Sequence, residues 1–205
     1  MIVLKSTPKN IIQAAQVLRA GGIIVYPTDT AYALGGVFNS SAVVKKILKI
    51  KKRQDDKFTI VAASPAQVQK FFKLNSAQKK LARQFWPGPL SIVVSTKLSV
   101  RVPANTLTRR LCRLVGRPLI ATSANVAGGN TPYGSRQIIN DFKNEISQPD
   151  LLLDGGHLAR KKTSTIVKAE KNNLIIIRQG SVKITDQSSK SRGNYRRPGS
   201  GHREY

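Results

Sequence analysis

Three short stretches carry side chains whose types and spacing suit phosphate and carboxylate chemistry. Lys51-Lys52-Arg53, followed by Lys57, sets a point charge and a planar guanidinium fork two residues apart. Such a pair can hold a polyphosphate, the fork taking two oxygens at once. Thr28-Asp29-Thr30 presents small oxygen-bearing side chains directly after the apolar run Gly22 to Tyr26 and Pro27. Strand-end turns of this kind are favoured ligand sites in α/β proteins. Thr122-Ser123-Ala124-Asn125 follows another apolar run. Ser123 and Asn125 share a face if the backbone is extended and converge on a ligand in a turn. Hydroxyl and amide groups suit a nucleotide phosphate or a metal-bound water. Singly, each stretch has a plain structural alternative. Cations at a helix end satisfy its dipole. Proline, aspartate and asparagine are also ordinary turn formers.

Other chemistries find less support. Neither a Gly-x-x-x-x-Gly-Lys-Ser/Thr loop nor Gly-x-Gly-x-x-Gly occurs, so any use of ATP dispenses with the commonest cradles. The glycine pairs at 128–129 and 155–156 can admit a ligand close to backbone. His157 reads as a loop residue rather than a base, and His202 lies in the tail. The single cysteine, Cys112, sits among Leu111, Leu114 and Val115 and reads as a small buried thiol. One cysteine excludes an internal disulfide framework and suggests a cytosolic compartment. With one cysteine and two histidines in the chain, a structural zinc site is not expected. The charge is the outlier: 35 Lys and Arg against 10 Asp and Glu give +25, which attracts polyanions unless the source proteome is generally basic. No apolar run approaches membrane-spanning length, and the start Met1-Ile2-Val3-Leu4-Lys5 lacks the layout of a secretory signal. The expectation is a cytoplasmic protein with no membrane partner.

The elements that must position these groups are legible from periodicity and caps. Ile2 to Leu4 reads as a strand. Thr7-Pro8 opens a helix closed at Gly21. Gly22 to Tyr26 reads as a strand ended by Pro27, with Gly35-Gly36 closing the turn beyond it. Asn39-Ser40-Ser41 reads as a helix start, with Val43, Val44, Ile47, Leu48 and Ile50 on the buried side. Phe58 to Ala62 is a strand, Ser64-Pro65 starts a helix through Phe71, and Ser76 caps another with Leu81 and Phe85 inside. Trp86-Pro87-Gly88-Pro89 is a rigid break. Leu90 to Val94 and Val100 to Val102 are strands. Asn105 caps a helix ended by Gly116, Leu119 to Thr122 is a strand, and Ser135 to Phe142 is helical. Leu151 to Leu153, Thr165 to Val167 and Leu174 to Ile177 are strands, the last two an antiparallel pair. This order predicts one twisted mixed β-sheet flanked by helices, of the α+β class. Residues 1–184 form the expected domain. Residues 185–205 read as a basic, disordered tail, since no large aliphatic residue follows Ile184. Its Tyr195 beside Arg196 and Arg197 suits single-stranded RNA, and a solubilising role is the equal alternative.

Taken together, the motifs resemble the YrdC-like family of threonylcarbamoyl-AMP synthases. The resemblance rests on Tyr26 to Gly35, Lys51 to Arg53, Trp86 to Leu90, Arg101 to Pro103, Ala121 to Asn125, Asp154 to Gly156, Ser164 to Val167 and Arg178 to Gly180, which occur in family order. It implies a large basic cavity and condensation of L-threonine, bicarbonate and ATP to threonylcarbamoyl-adenylate. Transferase proteins then move the threonylcarbamoyl group to tRNA. By the resemblance, Lys51 and Arg53 grip the phosphates and carry the catalysis. Arg101, Ser123, Asn125 and Arg178 join them on the adenylate, and Thr28, Thr30 and Tyr32 line the threonine side. Mg²⁺ enters with ATP and needs no dedicated carboxylate cluster. Ala33, Gln54, Phe58 and Tyr133 depart from the usual residues, and the short, polar tail is not expected to form the carboxy-terminal domain of longer members. The alternative is a non-catalytic binder of tRNA or double-stranded RNA with the same fold.

Overall fold

Local sequence signals start most of the helices. The computed structural model describes residues 1–170 and 173–184, and the tail lies outside the described residues. β1 (Ile2–Lys5) leads into α1 (Pro8–Arg19), where the Thr7 hydroxyl accepts the Asn10 N–H and Pro8 occupies the first turn. β2 (Ile24–Pro27) and β3 (Tyr32–Gly35) follow, then α2 (Ser41–Lys51), capped by Ser40 and closed by Lys52 in the left-handed conformation. Next come β4 (Phe58–Val61), α3 (Pro65–Phe71), α4 (Ser76–Phe85), β5 (Leu90–Val93) and β6 (Leu98–Arg101). The chain continues with α5 (Thr106–Val115), β7 (Leu119–Ser123), α6 (Ser135–Phe142), β8 (Leu151–Asp154), β9 (Thr165–Glu170) and β10 (Asn173–Arg178).

The structure corrects three of the sequence expectations. Gly22 to Gly36 is a hairpin rather than a strand and a turn: β2 and β3 pair antiparallel, and Pro27 takes the last register position opposite Tyr32. A proline is tolerated at a strand end, where little of the ladder depends on its missing donor. The helix after Leu74 is capped by Asn75, not Ser76. The Asn75 side chain accepts the Gln78 N–H while Gln78 accepts the Asn75 N–H, a reciprocal capping box. On that helix Gln78 and Ala82 are buried, while Leu81 and Phe85 are only half-buried.

All ten strands join one mixed sheet in the order β1-β8-β2-β3-β7-β4-β6-β5-β9-β10. Four pairs are parallel (β1 with β8, β8 with β2, β4 with β6, β5 with β9) and the other five antiparallel. Two apolar layers cover it. On one face Val43, Ile47, Val68, Ala82, Ile138 and Phe142 from α2, α3, α4 and α6 meet Val25, Leu34, Ile60, Ile92 and Val100. On the other, Ile11, Ala14 and Leu18 of α1 and Leu111 and Cys112 of α5 meet Ile24, Tyr26, Val61 and Leu119. Burial of Cys112 pushes its thiol up to about 12, as befits a packing residue. The helices α1 and α5 cover only the half of their face that includes β8, β2 and β4. The rest of that face is where the site lies.

Candidate functional site

Alternation along the strands decides what meets the uncovered face. On β4, Phe58 and Ile60 point into the larger core, so Thr59 points the opposite way. On β6, Val100 enters that core and leaves Ser99 and Arg101 on Thr59's side. The Thr59 and Ser99 hydroxyls meet at 3.0 Å. Over them opens a cavity of about 530 Å³, walled by Thr28, Thr30, Tyr32, Arg53, Arg101, Ser123 and Arg178 among others. Seven of the nine predicted site residues, drawn from five separate segments, therefore line one cavity. A second hollow of about 580 Å³ lies beside Phe38 and Val44, and none of the nine lines it.

Lys51 and Asn125 are brought together behind that wall. Lys51 is 2% exposed at the end of α2. Its Nζ donates to Ser123 O and Asn125 O, both at 2.7 Å, and lies 3.4 Å from Asn125 Oδ1. Asn125 Nδ2 donates to Gly129 O, and Ala127 N donates back to Lys51 O. The ammonium thus ties the end of α2 to the loop after β7. Burial and the neighbouring Arg53 charge lower its pKa to about 8. Arg53 turns toward the cavity. Its Nη2 donates to Lys57 O at 2.9 Å and its guanidinium lies 5.0 Å from the Phe58 ring centre. Phe58, a departure from the usual residue, supplies that cation–π platform.

The hydroxyls of the β2–β3 turn differ in availability. Thr28 Oγ1 donates to Ala31 O at 2.6 Å and accepts the N–H groups of Thr30 and Ala31, so it is spent on the turn. The Tyr32 hydroxyl donates to Gly156 O at 2.7 Å and accepts the Gly155 N–H at 2.9 Å. Burial first, then the nearby Asp154, raises it to about 12 against the pull of that N–H. Thr30 Oγ1 meets only Thr28 Oγ1, at 3.2 Å, among the described residues. Of the three, Thr30 keeps a hydroxyl for a ligand.

Two arginines close the far side. Arg101 is 4% exposed, and its Nη2 lies 3.2 Å from Asp29 Oδ1. Its Nε and Nη1 have no hydrogen-bond partner among the described residues. Arg178 donates from Nε and Nη2 to Ser164 O, at 3.1 and 2.9 Å. Its pKa is lowered by burial and then by the charge of Arg101, which places the two guanidiniums within each other's field. Sequence reasoning missed Thr59, Ser99 and the role of Asp29. The first two were legible as hydroxyls alternating with core residues in Phe58-Thr59-Ile60 and Leu98-Ser99-Val100. The pairing of Asp29 with a strand end 72 residues away left no local signal. Among the described residues, no three His, Cys, Asp or Glu side chains gather as a metal site.

Comparison with known proteins identifies the family and the fold. A family model for Sua5, YciO and YrdC proteins, described as "Telomere recombination", matches residues 16–180. The threonylcarbamoyl-AMP synthase of Pyrococcus abyssi is 29% identical over 188 residues, which cover 84% of this chain and 54% of that protein. This chain therefore spans about half the length of that curated relative. The crystal structure of P. abyssi Sua5 complexed with L-threonine superposes with a TM-score of 0.80 at 28% identity, covering 88% of this chain and 58% of that one. E. coli YciO, at 23% identity, shares the fold with a TM-score of 0.74 over 87% of this chain and 94% of its own. With the model spanning most of its length, the chain belongs to the Sua5–YciO–YrdC family.

Proposed function

We propose that this chain is a threonylcarbamoyl-AMP synthase, a nucleotidyltransferase that condenses L-threonine, bicarbonate and ATP to threonylcarbamoyl-adenylate, releasing pyrophosphate and water. The supporting observation is the single cavity lined by Arg53, Arg101, Arg178, Ser123 and Thr30, in a family with a synthase among its members. All three substrates are anionic or carry a carboxylate, and cations that assemble them lower the barrier chiefly by positioning and charge neutralisation. The threonine amine attacks the carbon of bicarbonate or CO2, giving a carbamate. A carbamate oxygen then attacks the α-phosphorus, and pyrophosphate leaves. Mg²⁺ carried by the nucleotide would neutralise phosphate charge beside Ser123, with no dedicated carboxylate cluster among the described residues. Arg53, with Lys57, holds the phosphates at the mouth, and the Ser123 hydroxyl contacts the nucleotide. Lys51 and Asn125 set the backbone that carries Ser123. Arg178 faces the adenylate. The product passes to threonylcarbamoyl-transferase proteins for attachment to tRNA.

The test follows pyrophosphate in the presence of ATP, Mg²⁺ and bicarbonate, with and without L-threonine. Release should depend on threonine, and a threonine-independent rate rules the reading out. Arg53→Ala should lower turnover by about 100-fold or more while the circular dichroism is unchanged. A second reading, RNA binding by the folded domain, draws on charge. Of the 35 Lys and Arg, 30 lie in residues 1–184, with 8 of the 10 Asp and Glu, leaving +22 there.

A further inference from the structure

We infer that the hydroxyls of Thr59 and Ser99 seat the oxygen that bicarbonate or CO2 leaves behind as the carbonyl of the threonylcarbamoyl group. This rests on the synthase reading and assigns its third substrate to the cavity floor. The two hydroxyls line the cavity and meet at 3.0 Å, with no other hydrogen-bond partner among the described residues. One donates to the other. The acceptor's own proton is left over, so the pair keeps one O–H donor in either arrangement. Ser99 is 7% exposed. An enclosed donor without a partner is costly, so the floor favours an acceptor oxygen at this point.

Strand register fixes what lies on either side of that donor. Thr59 pairs with Ser99 on β6 and with Ala121 on β7, so the three form one row across the sheet. β4 and β6 run parallel. Arg101 stands two residues after Ser99, and Lys57, whose carbonyl accepts from Arg53, stands two residues before Thr59. Two residues of strand span about 6.6 Å. The hydroxyl row therefore lies midway between two sets of cations lining the same cavity, Arg101 and Arg178 at one end, Arg53 and Lys57 at the other. Cations take the charged ends of a ligand, and a neutral donor between them suits an uncharged oxygen at its middle. In threonylcarbamoyl-adenylate the carbonyl lies between a carboxylate and a phosphate. Ala121, with only a methyl group, keeps the row low enough for a planar carbamate.

The chemistry gives this donor a task. The threonine nitrogen bonds to the carbon of bicarbonate, one C–O bond breaks, and the departing hydroxide leaves as water with an amine proton. Two oxygens remain on the carbamate. One attacks the α-phosphorus and expels pyrophosphate. A donor to the other fixes the carbamate plane and turns the attacking oxygen toward phosphorus.

Pyrophosphate release by the full chain tests this, followed at rising bicarbonate in CO2-free buffer with ATP, Mg²⁺ and L-threonine saturating. Thr59→Val combined with Ser99→Ala removes both hydroxyls with little change of shape. It should raise the KM for bicarbonate about tenfold and leave the KM values for ATP and threonine within about twofold of wild type. Thr59→Ser, which keeps the hydroxyl, should hold the bicarbonate KM within about threefold of wild type. If the double variant does not fold, Ser99→Ala alone decides, with a rise of about threefold expected. An unchanged bicarbonate KM in a folded variant overturns the inference, as does a rise for ATP or threonine in its place. A fall in kcat with every KM unchanged overturns it too, since that marks a merely structural pair. Any of these results, in a protein whose wild type shows threonine-dependent release, leaves the synthase reading standing. A wild type without that release removes both.

Discussion

Lys51 holds a charge in a place that disfavours it. Below about pH 8 the folded state bears the desolvated ammonium. Its pKa is lowered to about 8 from the ordinary 10.5. Between these values the unfolded chain keeps a proton that the folded chain has released. The contribution of Lys51 to stability therefore rises with pH across that window and is lost as pH falls through about 8. Activity should move the opposite way, because a neutral amine holds the Ser123 and Asn125 oxygens less firmly. A pH profile of kcat/KM should fall above about pH 8. Lys51→Arg, which does not titrate there, should lose that alkaline limb. A limb that persists in a folded Lys51→Arg would show that another group sets it.

At the scale of elements, the β2–β3 hairpin is the feature that sequence patterns hid. Tyr32-Ala33-Leu34-Gly35 holds two weak strand formers and no alternation of polar and apolar residues, so it reads as a turn. Its strand character comes from neighbours. β3 lies between β2 and β7, and Tyr32 also bonds through its backbone to Ala124 and Pro132. Gly35 is the tightest point, since a Cβ there would overlap the Ile120 carbonyl on β7. Backbone on both sides leaves no flexible atom to move aside. Gly35→Ala should cost about 3 kcal/mol or more in urea unfolding. A loss under about 1 kcal/mol would mean that β3 and β7 can part without penalty.

At the scale of the molecule, charge and open sheet surface coincide. Helices α1 and α5 cover one half of a sheet face, and the other half holds the cavity with its arginines. No helix among the described residues is long and apolar enough to cross a membrane. Residues 185–205 carry only +3 of the total charge. A chain ending at Ile184 should therefore keep most of the salt dependence of any tRNA binding, since the slope follows the number of phosphates neutralised. A slope that collapses on truncation would assign the contacts to the tail.

The sequence by itself determined where most elements lie and which residue types could bind anions. Caps at Thr7, Ser40, Ser64 and Asn105 and closing glycines act within a few residues, so their signals are local. The family motifs likewise named Arg53, Arg101, Ser123 and Arg178 before any contact was known. Only the tertiary structure decided which way those side chains face. Lys51 points to carbonyls more than 70 residues ahead and leaves the wall to Arg53. Asp29 finds Arg101 at the end of a strand that is not its sheet neighbour. Such choices depend on long-range burial and pairing, where the penalty for an unmatched buried charge outweighs any local preference.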